Sequence, residues 1–166
     1  MTIRKLDGIF KLILPAVILC LLSLPLTAQR AAGEVGIGAQ FGAPTGLTVK
    51  VYQPTGISVD VLAAWDLDNF FFVNVHGLIE RHIDQNQRFH WFIGPGVFAG
   101  IRNLDEDDDL AEPESDNFGA GISGTIGLNY IIGKVEIFGQ FTPRLELLDE
   151  TNGDLGGGLG FRVYID

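Results

Sequence analysis

"LGGGLGFRVYID", Leu155 to Asp166, places apolar residues on alternate positions: Leu155, Leu159, Phe161, Val163 and Ile165. Gly156, Gly158, Gly160, Arg162 and Tyr164 stand between them. A period of two is that of a β-strand, whose successive side chains point to opposite faces. Such a strand needs a cover for its oily face and partners for its two edges.

The same alternation runs back through the chain. It marks "EVGIGAQFG" (34–42), "TGLTVKVYQ" (45–53), "ISVDVLAAWDL" (57–67), "FFFVNVHGLIER" (70–81), "FHWFIGPGVFAGIRN" (89–103), "FGAGISGTIGLNYII" (118–132) and "VEIFGQFTPRLELL" (135–148). Pro, Gly, Asn and Asp clusters separate these segments, and none carries a 3.6-residue period. With the closing strand this makes eight, most of them near the ~9–11 residues that a tilted strand needs to cross a bilayer. An even number of hairpin-linked strands predicts an all-β fold, an eight-stranded antiparallel up-and-down β-barrel. "EVGIGAQFG" would then pair with the last strand and leave no free edge.

The alternation is read with one phase throughout, odd-numbered positions apolar: Val35, Ile37, Phe41, Leu47, Val49, Val59, Val61, Trp65, Phe71, Val73, Trp91, Ile93, Val97, Val135, Ile137 and Phe141. Ile122, Ile126 and Leu128 are placed on that same face. The polar face holds Glu34, Lys50, Asp60, His76, Glu80, Arg102, Glu136, Arg144, Glu146 and Arg162, and most strand glycines. In a soluble lipocalin-like barrel, secreted or periplasmic and binding an apolar ligand, the apolar face would line the interior. In a transmembrane barrel it faces lipid.

Three features favour lipid. Glycine weakens a solvated strand but makes room inside a narrow barrel, and eight strands leave an interior only wide enough for side chains. Aromatics near strand ends (Phe41, Trp65, Phe71, Phe89, Trp91, Phe118, Tyr130) match interfacial girdles. With the N-terminus in the periplasm, the short connections "QPTG", "HIDQNQ" and "IIGK" fall on the inner side, and the long acidic connection falls outside. Pro95 and Pro143 lie in strands and each removes a ladder hydrogen bond, so local bulges are expected there. The opposite charges of the polar face are expected to pair as a lumen network that plugs the barrel.

Residues 1–28 carry Arg4, Lys5 and Lys11, then the apolar run "LILPAVILCLLSLPL", then "TAQ". That order is a secretory signal peptide, too short in its apolar part to anchor. Residues 29–33 are a short leading segment and 34–166 the barrel. Cys20 is the one cysteine and lies in the apolar run after Leu19, so neither a lipid-modified cysteine nor a disulfide framework is expected. Removing residues 1–28 takes away Arg4, Lys5, Lys11 and Asp7 and leaves 20 acids against 8 bases, a net charge of −12. No basic stripe remains to neutralise phosphates, which argues against nucleic-acid binding.

The eight-strand pattern behind a signal peptide resembles the small bacterial outer-membrane barrels of the OmpA/OmpX type. The ending resembles the C-terminal signal read by the outer-membrane assembly machinery, with Gly160, Val163 and Ile165 at the matching spacing and Phe161 on the same side. Asp166 departs from the aromatic residue that ends many members. "VGIGAQFGAPTGLTVKVY" also resembles the opening hairpin of uncharacterised bacterial outer-membrane β-barrel domains. The resemblance implies a monomer in the outer membrane, loops outward and termini periplasmic, in contact with lipid and lipopolysaccharide. Its role would be structural or one of surface interaction.

Chemistry is not expected. His76, His82 and His90 with Ser58 and Ser123 form no motif that sets a serine beside a histidine and an orienting acid. A lipid-modifying enzyme and a small-conductance pore are therefore the lesser alternatives, and no cofactor is called for. The eight acids from Asp105 to Asp116 include Asp105, Glu106, Asp107, Asp108 and Asp109, weak candidates for calcium. They lack EF-hand spacing and are read as a solvated run, with no specific metal site, that bridges loosely to lipopolysaccharide through divalent cations.

Overall fold

The computed structural model describes residues 30–65, 70–83, 85, 88–102, 117–148 and 152–165. It is a closed barrel of eight strands in sequence order: β1 (Val35–Ala43), β2 (Gly46–Val51), β3 (Ser58–Trp65), β4 (Phe70–His82), β5 (Phe89–Arg102), β6 (Asn117–Ile132), β7 (Val135–Glu146) and β8 (Gly153–Ile165). Every neighbouring pair is antiparallel, and β1 closes on β8 from Val35↔Ile165 to Ala43↔Gly157. The edges left open by the sequence of β8 are thus both paired, to β1 and to β7.

The apolar face points outward. Phe41, Trp65, Phe71, Val97, Ile126, Phe141 and Leu159 are all exposed, while Lys50, Asp60, Glu136 and Arg162 are sealed inside. A lipocalin-like arrangement needs the reverse. Arg81, at the end of β4, is the one charged residue on the outward positions of the described strands.

The one-phase reading fails in β6. There the outward residues are even-numbered (Phe118, Ile122, Ile126, Leu128, Tyr130, Ile132), and odd-numbered Ser123, Thr125, Asn129 and Ile131 are buried. The cause is the register. β4 pairs with β5 even to even and odd to odd, as in His76↔Gly96, but β5 pairs with β6 odd to even, as in Ile93↔Ile126. Parity returns to the first setting across the β6–β7 turn, where Ile132 faces Val135. Gly133 holds φ 60° in that turn, a left-handed conformation that suits glycine.

Bulges do not form at the prolines. The β4–β5 ladder stops at His76↔Gly96 and resumes at Ile79↔Ile93 with the same offset. The β6–β7 ladder stops at Ser123↔Arg144 and resumes at Ile126↔Phe141, again without a shift. Each proline removes a donor, and the sheet tolerates the gap without an inserted residue. Gly77, Pro95, Gly124 and Pro143 therefore form a row across four strands on the outer wall, at the level of both gaps.

Lumen glycines seat aromatic rings from the strand beside them. Phe92 is opposite Gly127, Phe138 opposite Gly160 and Tyr164 opposite Gly36. A Cβ on Gly127 or Gly160 would run into the Phe92 or Phe138 ring, and one on Gly36 would lie 2.9 Å from Tyr164 Cζ. Phe92 and Phe138 with Leu78 form a fully buried apolar cluster within the lumen. Gly127→Val is accordingly expected to lower stability by about 1–3 kcal/mol through overpacking. Denaturant titration of the refolded variant checks this, and an unchanged midpoint would contradict the ring-on-glycine packing.

Candidate functional site

The barrel interior is the candidate site. The start of β1 and the end of β8 lie at one end of the barrel, as do the end of β2 and start of β3, the end of β4 and start of β5, and the β6–β7 turn. Near that end a cluster of paired charges lies within the lumen. Glu136 on β7 is its hub. It accepts hydrogen bonds from Arg162 Nη1 at 2.7 Å on Oε1, and from Tyr164 Oη at 2.6 Å and Arg30 Nη1 at 2.8 Å on Oε2. Lys50 Nζ lies 3.4 Å from Glu136 Oε1 and is also paired with Glu80. Arg162 reaches across to Asp60 Oδ1 at 2.6 Å and donates to Thr48 Oγ1, and its guanidinium lies 3.9 Å above the Phe138 ring. These residues come from β2, β3, β4, β7 and β8, so only the closed barrel assembles the cluster. Desolvating so many charges is costly, and dense pairing with hydrogen bonds is what offsets it.

Arg30 enters from outside the wall. It precedes β1, yet its guanidinium donates to Glu136, to Tyr164 Oη at 2.9 Å and to Glu80 Oε2 at 3.0 Å, and lies 3.8 Å above the Tyr52 ring. Burial alone would depress this guanidinium, but Glu80, Tyr164 and Glu136 outweigh it and hold it above its ordinary value.

A second group lies further along the lumen. Ser123 Oγ is 3.1 Å from His76 Nε2 and donates to Asn74 Oδ1 at 2.9 Å. No sequence motif announces this pair, which the closed barrel brings together without an acid hydrogen-bonded to the imidazole among the described residues. The contact is possible because Gly96, which lies between His76 and Ser123 in the register, has no side chain. A Cβ there would come 2.8 Å from Ser123 Oγ and collide with the imidazole. In this arrangement the hydroxyl does not donate to the imidazole. With the single hydroxyl proton directed at Asn74, Nε2 acts as the donor to Ser123. Asp60, the register partner of His76, has its Oδ1 engaged by Arg162 and Thr48. Gly96→Ala should separate His76 from Ser123 and lower stability by about 1–3 kcal/mol. The His76 imidazole resonances should move with it, and unmoved resonances would contradict the contact.

The other anticipated lumen residues are dispersed. Glu34 sits half-exposed at the rim, with no ion pair to the cluster among the described residues. Arg144 is near the far end, 2.5 Å from the exposed Asp154 and with Phe72 beneath its guanidinium. Glu146 lies beside Gly119. The Arg102 side chain, the signal segment 1–28 and Asp105, Glu106, Asp107, Asp108 and Asp109 fall outside the described residues. Among the described residues no group of His, Cys, Asp and Glu is arranged to hold a metal. In β8, Phe161, Val163 and Ile165 share the outward face, while Gly160 is turned inward beneath Phe138.

No family model matches the chain, and no curated protein matches it. Solved structures do. The N-terminal β-barrel domain of Pseudomonas aeruginosa OprF superimposes with a TM-score of 0.62 at 11% identity, over 82% of this chain and 100% of that domain. Ail, an outer membrane protein of Yersinia pestis determined in a phospholipid bilayer nanodisc, matches with a TM-score of 0.44 at 16% identity over 78% of this chain and 99% of its own. Neisserial surface protein A matches with a TM-score of 0.41 at 12% identity, over 78% of this chain and 92% of its own. The chain shares its fold, an eight-stranded barrel, with the OprF domain.

Proposed function

We propose that the chain is a monomeric outer-membrane barrel, its lumen plugged by the paired charges, with a structural or surface-interaction role. The observation that carries this is the outer wall, which is apolar all round between its ends. A charge at mid-depth on a lipid-facing strand costs ~2–4 kcal/mol, whereas water imposes no such rule. The aromatic residues support the reading too. Phe41, Trp65, Phe71 and Phe118 ring one end, and Trp91 and Tyr130 stand toward the other. In this reading Phe161, Val163 and Ile165 with Gly160 are read by the outer-membrane assembly machinery, and the loop from Asp105 to Asp116 faces outward, toward lipopolysaccharide and its divalent cations.

Orientation and location are tested together. The chain after residue 28 has no cysteine, so single reporters are clean. Asp108→Cys should react with a membrane-impermeant maleimide on intact cells. Thr55→Cys, in the exposed connection between β2 and β3, should react only after the outer membrane is permeabilised. Both proteins should fractionate with the outer membrane and change gel mobility on heating. A reversed labelling pattern would invert the barrel, and recovery in a soluble fraction without detergent would end the membrane reading.

A further inference from the structure

The inner cluster is neutral only because a residue from outside the wall enters it. The strands supply Lys50 and Arg162 against Asp60, Glu80 and Glu136, one negative charge in excess. Arg30 supplies the missing positive charge. The segment that carries it is lightly held. Among the described residues its backbone bonds are Gly33 N to Tyr52 O at 2.8 Å, Tyr52 N to Glu34 O at 3.0 Å and Glu34 N to Ala31 O at 3.3 Å, all at its β1 end, and Ala31, Ala32 and Gly33 are exposed. Gly33, with φ 87°, turns the chain across the barrel mouth.

The receiving groups are specific in shape. Glu80 and Glu136, from β4 and β7, accept from different nitrogens of one planar fork, and Tyr52 offers a ring face 3.8 Å from it. An ammonium has the charge but not the fork or the flat face. Further polar atoms without a partner lie at this level. Asn129, which donates to Glu80 at 3.2 Å, and His90, its register partner, are both buried, and Asn129 Oδ1 and His90 Nδ1 have no hydrogen-bond partner among the described residues.

We propose that this end of the lumen is a guanidinium-binding site in which Arg30 is a tethered, exchangeable ligand. The site takes a free alkylguanidinium group in trans when Arg30 is withdrawn. Arg30 thereby seals the mouth and ties the segment before β1 to the barrel, without covalent linkage to any strand but its own.

The test is chemical rescue of Arg30→Ala, made in the chain from residue 29 and refolded in detergent. The readout is the temperature at which the compact, heat-modifiable form is lost. The variant should lose it at a lower temperature than the parent. Millimolar methylguanidinium should restore much of the difference. Methylammonium at equal ionic strength should need at least about tenfold more. The parent, whose site is filled, should not respond. Equal protection by both cations, or an equal response of the parent, would overturn the proposal. If the variant does not fold alone, it is refolded with methylguanidinium present. Recovery of the compact form then supports the site, and no recovery overturns it. Line broadening of the methylguanidinium methyl signal by the variant but not by the parent reads the same binding without reference to stability.

Discussion

Glu136→Gln is expected to destabilise the barrel by about 3–5 kcal/mol, the cost of breaking a buried ion pair from one side. The substitution keeps the shape of the side chain and removes its charge. Three cations, Arg30, Lys50 and Arg162, would then share Glu80 and Asp60 in a space that water does not enter freely. Tyr164 Oη and Arg162 Nη1 would each lose a charged acceptor. Urea titration of the protein in lipid vesicles, followed by Trp65 and Trp91 fluorescence, measures this. Asp154→Asn is the contrast. Its carboxylate is exposed at the far end, so loss of the pair with Arg144 should cost no more than about 1 kcal/mol. A Glu136 effect as small as that of Asp154 would show that the cluster does not hold the barrel together.

Val97→Arg is expected to cost about 2–4 kcal/mol in bilayers and little in a soluble setting. Val97 is near the middle of β5, 58% exposed, with Val75 and Ile122 beside it in the register. The arginine would meet no clash and would displace no partner. Any large penalty must therefore come from the surrounding medium. Refolding yield into vesicles should fall sharply, while Arg81, at the rim of the same wall, marks where a charge is already tolerated. If Val97→Arg inserts and unfolds like the parent, the outer face does not lie against hydrocarbon.

The strands and their two faces were legible in the sequence because alternation is a local property. So was the parity of β6, whose apolar residues Ile122, Ile126 and Leu128 are even-numbered in the sequence itself; the error lay in carrying one odd-numbered phase across the β5–β6 loop. The absence of bulges at Pro95 and Pro143 was not legible. The sequence shows that a donor is missing, but whether the ladder slips or merely skips depends on the partner strand. Lys50, Asp60, Glu80, Glu136 and Arg162 could be assigned to one face, yet their convergence required the curvature of the whole ring. Arg30 was overlooked because "QRAAGE" has no period at all. The one available hint was the excess acid among the inward residues that the cluster contains. Ser123 and His76 are far apart in sequence, and it is the missing side chain of Gly96 that lets them touch.

Closure between β1 and β8 sets the order of events as the barrel forms. Val35 pairs with Ile165, so closing the ring joins the most distant parts of the chain, and the sheet is without free edges only when that contact is made. Until then two rows of backbone donors and acceptors stay open, and each group left unpaired in hydrocarbon costs several kcal/mol. If the barrel lies in a membrane as proposed, a half-built sheet has almost no population within the bilayer. Insertion and completion of the ring become a single step with a high barrier, slow for a topology dominated by distant pairings. The same barrier opposes the reverse reaction. The completed barrel should persist because its escape is slow, and its lifetime in the membrane would outlast what its equilibrium stability alone provides.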